Sequence, residues 1–324
     1  MRYFLTGGTG FIGGALARKL REKNHEVIAI VRHPNKAEEL KSIGVQVVRG
    51  DVTNKESMRQ AMEGCDGVFH VAGWYKLGEK DKSPGRKINV EGTRNVLELM
   101  KELEIPRGVY TSTVAINSDT KGKIPNESYR FRGEYITEYE RTKAEAHHIA
   151  DEFIGDGLPL VIVMPGLVYG PRGTSMSDEA FRLYLKKKLP IMPTGSAYNW
   201  SHVDDVADAH ILAMEKAKPG STYMITGPHH TLTEAFDVAE QITGIRKPLA
   251  VPPGLLRITA FFTDLLERLI PVPNMYSPEA LRAESGVTYL GDNSKARREL
   301  GYSPRPLRDG LKETLLYEME QMRS

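Results

Sequence analysis

Residues 6–13 read Thr6-Gly7-Gly8-Thr9-Gly10-Phe11-Ile12-Gly13, and the rest of the chain is interpreted outward from this octet. Residues 2–6 ahead of it are aromatic and β-branched enough for a short buried strand. Behind it, Gly14-Ala15-Leu16-Ala17-Arg18-Lys19-Leu20 reads as a helix and Glu26–Val31 as a second strand. Strand, glycine turn, helix and strand form a βαβ unit. The spacing G-x-x-G-x-x-G gives each glycine a task. Gly7 permits the tight turn, Gly10 lets backbone approach a pyrophosphate, and Gly13 seats the helix on the sheet. The helix N-terminus offers N–H groups to the anion. A dinucleotide is therefore expected on Gly7, Thr9, Gly10, Phe11, Ile12 and Gly13.

The residues after the second strand discriminate between nucleotides. An acidic side chain there would hold the ribose 2′-hydroxyl of NAD(H); this chain has Arg32-His33-Pro34-Asn35-Lys36 instead. Arg32 is suited to a 2′-phosphate, with Lys36 assisting, so NADP(H) is the expected cofactor and NAD(H) the alternative. The next strand ends at Asp51-Val52, where the carboxylate can accept the adenine amino group or cap the helix over 55–62. Gly67 to Gly73 is another buried strand, and its small end residues Val71, Ala72 and Gly73 let a cofactor lie against backbone.

Further along, Gly108 to Thr111 reads as a strand leading into Ser112 and Thr113, and Tyr139-Glu140-Arg141-Thr142-Lys143 is a Y-x-x-x-K. On a helix the phenol and the amine share one face. A phenol ordinarily titrates near pH 10, and a neighbouring cation favours its ionised form. Tyr139 is thus a candidate proton donor or acceptor, with Lys143 tuning it and Thr113 holding the reacting oxygen.

These stretches together resemble the extended short-chain dehydrogenase/reductase family. The resemblance continues through Asn89-Val90-Glu91-Gly92-Thr93-Arg94-Asn95, Tyr169-Gly170-Pro171 and His202-Val203-Asp204-Asp205-Val206-Ala207, in family order over almost the full chain. It implies a Ser/Thr–Tyr–Lys catalytic set with Thr113 at a position where most members carry Ser, and Ser112 as the nearby second choice. It also implies that Ala72 and Gly73 line the cofactor, that Asn89 supports the site, and that Pro165 to Val168 flank the nicotinamide. The expected fold is α/β: a doubly wound parallel sheet (Rossmann) over residues 1–169 plus 201–226. A smaller C-terminal substrate domain is expected over 170–200 plus 227–324, and a homodimer as the assembly.

Two branches of that family compete for the activity: carbonyl reductases resembling dihydroflavonol reductase, and epimerases or dehydratases of nucleotide sugars with retained NAD. Nucleotide-sugar members place Asn three residues before the Gly of the Tyr-Gly-Pro segment, where this chain has Leu167. They also carry a basic residue in the stretch that is here Gly195 to Ser201. A diphosphate needs cationic or N–H partners, so the reductase reading is favoured, acting on a carbonyl or secondary alcohol. Arg172 and the run Lys186-Lys187-Lys188 are the compensating candidates. Trp74, Tyr75, Tyr169 and Trp200 are the aromatic residues expected near the substrate. A regulator that binds the cofactor without catalysis is the reading from a different class, and the intact Tyr139/Lys143 pair argues against it.

The composition fits a soluble, cytoplasmic enzyme of a small molecule. Of 324 residues 40% are hydrophobic and 27% charged, and the net charge of +2 lacks the basic excess of a nucleic-acid protein. No apolar run reaches membrane-spanning length. The 255–270 stretch is an amphipathic helix by pattern, expected to cover the pocket or meet a second subunit. The single Cys65 excludes an internal disulfide, and the pairs His147-His148 and His229-His230 point apart on regular elements, so no metal site is expected.

Overall fold

The computed structural model describes residues 1–173, 175–254, 279, 283 and 285–323. Its centre is a parallel sheet of β1 (Arg2–Thr6), β2 (Glu26–Val31), β3 (Gln46–Arg49), β4 (Gly67–His70), β5 (Gly108–Thr111), β6 (Leu160–Pro165) and, late in the chain, β10 (Thr222–Ile225). The spatial order is β10-β6-β5-β4-β1-β2-β3. The strands are near-continuous apolar runs because both faces are covered. One face carries the helices Phe11–Glu22 and Val203–Lys216, with Leu16, Leu20, Val206 and Ala209 in the core. The other carries Glu56–Met62, Gly92–Glu102 and Glu138–Gly155, with Met58, Leu97, Leu99, Ala146 and Ile149 inside. This is the expected doubly wound Rossmann architecture.

The chain winds outward from β1 to β3, then returns to β4 on the other side of β1. At that reversal the connections part at the carboxyl ends of the strands and leave a crevice.

A smaller C-terminal region has its own sheet, built from β7 (Leu167–Tyr169), β9 (Ala197–His202), β11 (His229–Thr231) and β13 (Thr288–Tyr289), beside the pair β8 (Ile191–Pro193) and β12 (Leu249–Val251). Its core holds Tyr169, Phe181, Tyr184, Trp200, Phe236 and Leu311. Leu167, Val168 and Tyr169 of β7 pair in parallel with Trp200, Ser201 and His202 of β9. The helix Ser294–Leu300 returns to the first region, where Ala296, Leu300 and Tyr302 join its core. The expected amphipathic helix over 255–270 lies outside the described residues. No helix among the described residues is long and apolar enough to cross a membrane.

Candidate active site

The crevice is a cavity of about 540 Å³, within the range of small-molecule and cofactor sites. Gly7, Thr9, Gly10, Phe11, Ile12 and Gly13 form one end. Gly7 has φ +73°, and a Cβ there would meet Ala72 N at 2.7 Å; a Cβ on Gly13 would meet Gly7 O at 2.1 Å. Both glycines are therefore fixed by backbone against backbone. The helix after them has Gly10 as its N-cap with no side-chain cap and no acidic residue in its first turn, which leaves the positive end of the helix for an anion. These features fit a dinucleotide diphosphate.

Arg32, Asp51 and Val52 line the cavity beyond β2 and β3. Arg32 is exposed, and no described residue forms an ion pair with it. Asp51 Oδ1 accepts from Thr53 N–H and Thr53 Oγ1, both at 2.9 Å, so the carboxylate that borders the cleft also caps the following turn. Lys36 is exposed on the short turn Pro34–Lys36 and does not line the cavity. Val71, Ala72, Gly73, Pro165 and Val168 do line it. Asn89 is buried away from it. Its Oδ1 accepts from Trp74 N–H at 2.6 Å, and its Nδ2 donates to Trp74 O at 3.1 Å and Thr142 Oγ1 at 2.9 Å. Asn89 thereby braces the backbone after Gly73 against the Glu138–Gly155 helix.

That helix starts cleanly: Thr137 caps it by accepting from Glu140 N–H, with Glu138 and Glu140 in the first turn. It carries Tyr139 and Lys143 into the cleft. Tyr139 and Thr113 both line the cleft, and Thr113 favours the ionised phenol against the effect of burial. Thr113 Oγ1 already accepts from Ala115 N–H at 3.1 Å, so its own hydroxyl proton is available to another oxygen. Lys143 Nζ donates to Thr111 O at 2.7 Å and lies 3.1 Å from the Tyr110 hydroxyl.

The expected lowering of Tyr139 by Lys143 is not what the protein alone shows. Burial pushes the phenol up to about 12 against a smaller lowering by Thr113, and Lys143 supplies no lowering. Loss of hydration takes Lys143 down to about 7, so the amine is only partly charged near neutrality. Beside Tyr139, the buried Glu140 carboxylate accepts from Ser118 Oγ at 2.8 Å, Ile136 N–H at 3.1 Å and Tyr289 OH at 2.7 Å. Ser112 borders the cleft next to Thr113, but its hydroxyl is engaged with His147 Nδ1 at 2.8 Å.

Of the four aromatic residues expected near the substrate, one lies in the cleft. Tyr75 meets the Tyr139 ring edge to face at 4.8 Å. Trp74 is turned under the Ser83–Gly85 turn, where a Cβ on Gly85 would meet its ring at 3.0 Å. Tyr169 and Trp200 pack against each other in the C-terminal core, and Trp200 also against Phe181. Leu77, Tyr198 and Tyr289 border the cleft in their place. Tyr289 belongs to a two-residue strand far down the chain and carries no signal in its own sequence. Arg172 pairs with Glu39, and Lys186 to Lys188 are exposed past the end of the Met176–Leu185 helix, none of them in the cleft lining.

Residues 3–226 match the model of the NAD dependent epimerase/dehydratase family. The chain is similar to sterol demethylase protein B of Methylococcus capsulatus, with 29% identity covering 99% of each protein. It is also similar to the 4-hydroxy-2-methyl-3-oxo-4-farnesyl-3,4-dihydroquinoline-1-oxide ketoreductase of Stigmatella aurantiaca, 29% identical over 94% of this chain and 92% of that one. Among solved structures, that of gox2253 superposes with a TM-score of 0.86 at 28% identity over 99% of both chains.

Proposed function

Because the chain belongs to the NAD-dependent epimerase/dehydratase family, and so to the extended short-chain dehydrogenases/reductases, we propose that it is an NADP(H)-dependent carbonyl reductase of apolar or aromatic substrates. That it is an NAD(P)-dependent enzyme follows from the family; the 2′-phosphate preference and the substrate class are the reading added here. One observation carries that reading. Around the Tyr139–Thr113 pair the cleft is walled by Tyr75, Leu77, Leu167, Tyr198 and Tyr289, and the cations in its described lining are Arg32 and Lys143 alone. A nucleotide sugar brings two phosphates of its own, and nothing in that described wall answers them. The farnesyl and sterol words in the relatives' names are in keeping with an oily carbonyl compound.

The residues divide the chemistry as follows. The dinucleotide, when bound, supplies the hydride for the carbonyl carbon or takes it from the alcohol carbon. Tyr139 gives its phenol proton to the carbonyl oxygen, or takes it back in the oxidative direction. Thr113, its lone pair held by Ala115 N–H, turns its hydroxyl proton to the same oxygen. Lys143, anchored by the Thr111 carbonyl, would hold the ribose of the bound dinucleotide. Arg32 takes the 2′-phosphate, and the uncapped helix start at Gly10 takes the diphosphate.

The test is consumption of NADPH and of NADH with a panel of aryl and alkyl ketones, together with mass spectrometry of small molecules carried through purification. NADPH oxidation by an apolar ketone is the expected result. Co-purified NAD with a nucleotide sugar, and no net consumption of either cofactor, would overturn it in favour of an epimerase.

A further inference from the structure

Glu140 stands at the third position of the Tyr139 helix, where a glutamate ordinarily turns back to the amide of the capping residue, here Thr137. It reaches elsewhere. Its Oε2 accepts from Ile136 N–H at 3.1 Å and from Ser118 Oγ at 2.8 Å, and its Oε1 accepts from Tyr289 OH at 2.7 Å. The carboxylate is buried, and its three donors are neutral groups from stretches far apart in the chain.

Each stretch leads to the reacting groups. Ser118 closes the short helical turn Val114–Asn117 that Thr113 caps, and it does so at φ +50° and ψ −150°, a conformation that residues with a Cβ rarely adopt. Such backbone persists only where its surroundings hold it, and the bond to Glu140 is one of those holds. Ile136 and Thr137 lead into the helix, with Thr137 Oγ1 accepting from Glu140 N–H at 3.1 Å. Tyr289 comes from β13 in the C-terminal region. Its neighbour Thr288 donates from N–H and from Oγ1 to Asp119 Oδ1, both at 3.0 Å, and its carbonyl accepts from Thr120 N–H at 2.8 Å. The two residues of β13 thus fasten the chain after Thr113 with one and the helix of Tyr139 with the other.

Tyr289 also lines the cleft, and its ring stacks on that of Tyr198, its register partner on β9, at 6.0 Å. One side chain therefore borders the substrate space and, through its hydroxyl, grips the residue next to Tyr139. We propose that Tyr289 is a positioning residue: acting through Glu140, it holds Tyr139 in register with Thr113, so that the substrate region sets the geometry of proton transfer. This rests on the reading of Tyr139 as the proton donor and is independent of the cofactor preference. Burial raises the Glu140 carboxyl, and the Tyr289 hydroxyl is foremost among the contacts that counter it. Without that hydroxyl a buried acceptor is left unpaired, and the start of the helix shifts to recover a partner.

The test is Tyr289→Phe, which keeps the ring on the cleft wall and removes only the hydroxyl. With a ketone that the wild type reduces, kcat is expected to fall about tenfold, while KM for the ketone and the affinity for NADPH stay within about twofold. Placed in a Glu140→Ala background, Tyr289→Phe should cost almost nothing more, since the hydroxyl acts through that carboxylate. Glu140→Gln can accept from Ser118 and Ile136 and donate to the Tyr289 oxygen, so it should recover most of what Glu140→Ala loses. An unchanged kcat in Tyr289→Phe, or an equal further loss in the Glu140→Ala background, would overturn the proposal and leave Tyr289 as cleft wall alone. The free protein offers a readout that needs no substrate: amide hydrogen exchange at Ile136 and Glu140 should quicken about tenfold in Tyr289→Phe, with the amides of β1 unchanged. If the wild type reduces no ketone, the proton-donor reading fails by itself, and unaltered exchange at these two amides dismisses the positioning role separately.

Discussion

Tyr139 and Lys143 stand one helical turn apart, and the amine is tied down by donating to the Thr111 carbonyl and the Tyr110 hydroxyl. Replacing Tyr139 by Phe removes the proton and little volume. Turnover of Tyr139→Phe is expected to fall by about 10²–10⁴-fold, with NADPH affinity by fluorescence titration within about twofold of wild type. Retained turnover would dismiss the phenol from the reaction. The phenol, raised to about 12, also fixes the sign of a pH profile. Alcohol oxidation needs it deprotonated, so kcat/KM in that direction should climb as pH rises from 7 to 10, and a flat profile would contradict the assignment. Arg32→Asp should reverse the preference from NADPH to NADH, seen as the ratio of the two kcat/KM values; a wild type that already favours NADH removes its basis. These residues were legible because their signals are local: glycines three apart, a phenol and an amine four apart, an arginine at a strand end. Trp200 and Tyr169 were misread because their burial depends on what covers β7 and β9. That cover comes from Phe181 and Leu311, more than a hundred residues apart.

At the scale of the element, two contacts carry the cleft. Gly13 presses on Gly7 O closely enough that a Cβ would sit 2.1 Å away, with backbone on both sides and no side chain free to yield. Gly13→Ala is expected to lower the melting temperature and abolish NADPH-induced stabilisation in the same thermal scan; a variant still stabilised by NADPH would show that the turn tolerates a methyl. Asn89 ties the segment after β4 to the Glu138–Gly155 helix through three hydrogen bonds. Asn89→Ala strands buried groups at Trp74, and a loss of about 2–4 kcal/mol is expected in urea unfolding. A change below about half a kcal/mol would mean water replaces the amide. Elements were read from sequence where periodicity is strong, as in β1, β2 and the helices flanking them. The short pairings of β7, β11 and β13 were not, since strands of two or three residues hold too few positions for alternation to register.

For the molecule as a whole, the covered interior makes acid its weak side. His210, driven down to about 4, is neutral in the fold, bonded to Thr111 Oγ1 at 2.8 Å and Val206 O at 2.7 Å. The unfolded chain takes up that proton below about pH 6.5 while the folded one refuses it until about pH 4, so stability drains away as pH falls through this window. Raised acids such as Asp178, at about 6, oppose the trend, so the contribution is best isolated by difference. Between pH 7 and 5, wild type should lose about 2 kcal/mol more unfolding free energy than His210→Gln, by urea denaturation at each pH. Parallel losses would rule the histidine out.

β6 ends at Pro165 and β7 begins at Leu167, with only Gly166 between them, and a Cβ on that glycine would strike Asn199 O at 2.4 Å. Pro165, Gly166, Leu167 and Val168 are themselves cleft wall. The joint between the two regions is thus also part of the site. Grafting a foreign substrate region onto this scaffold would strain the cofactor wall at the splice. Re-engineering specificity should therefore proceed by changing side chains such as Tyr75 and Tyr198, not by exchanging segments.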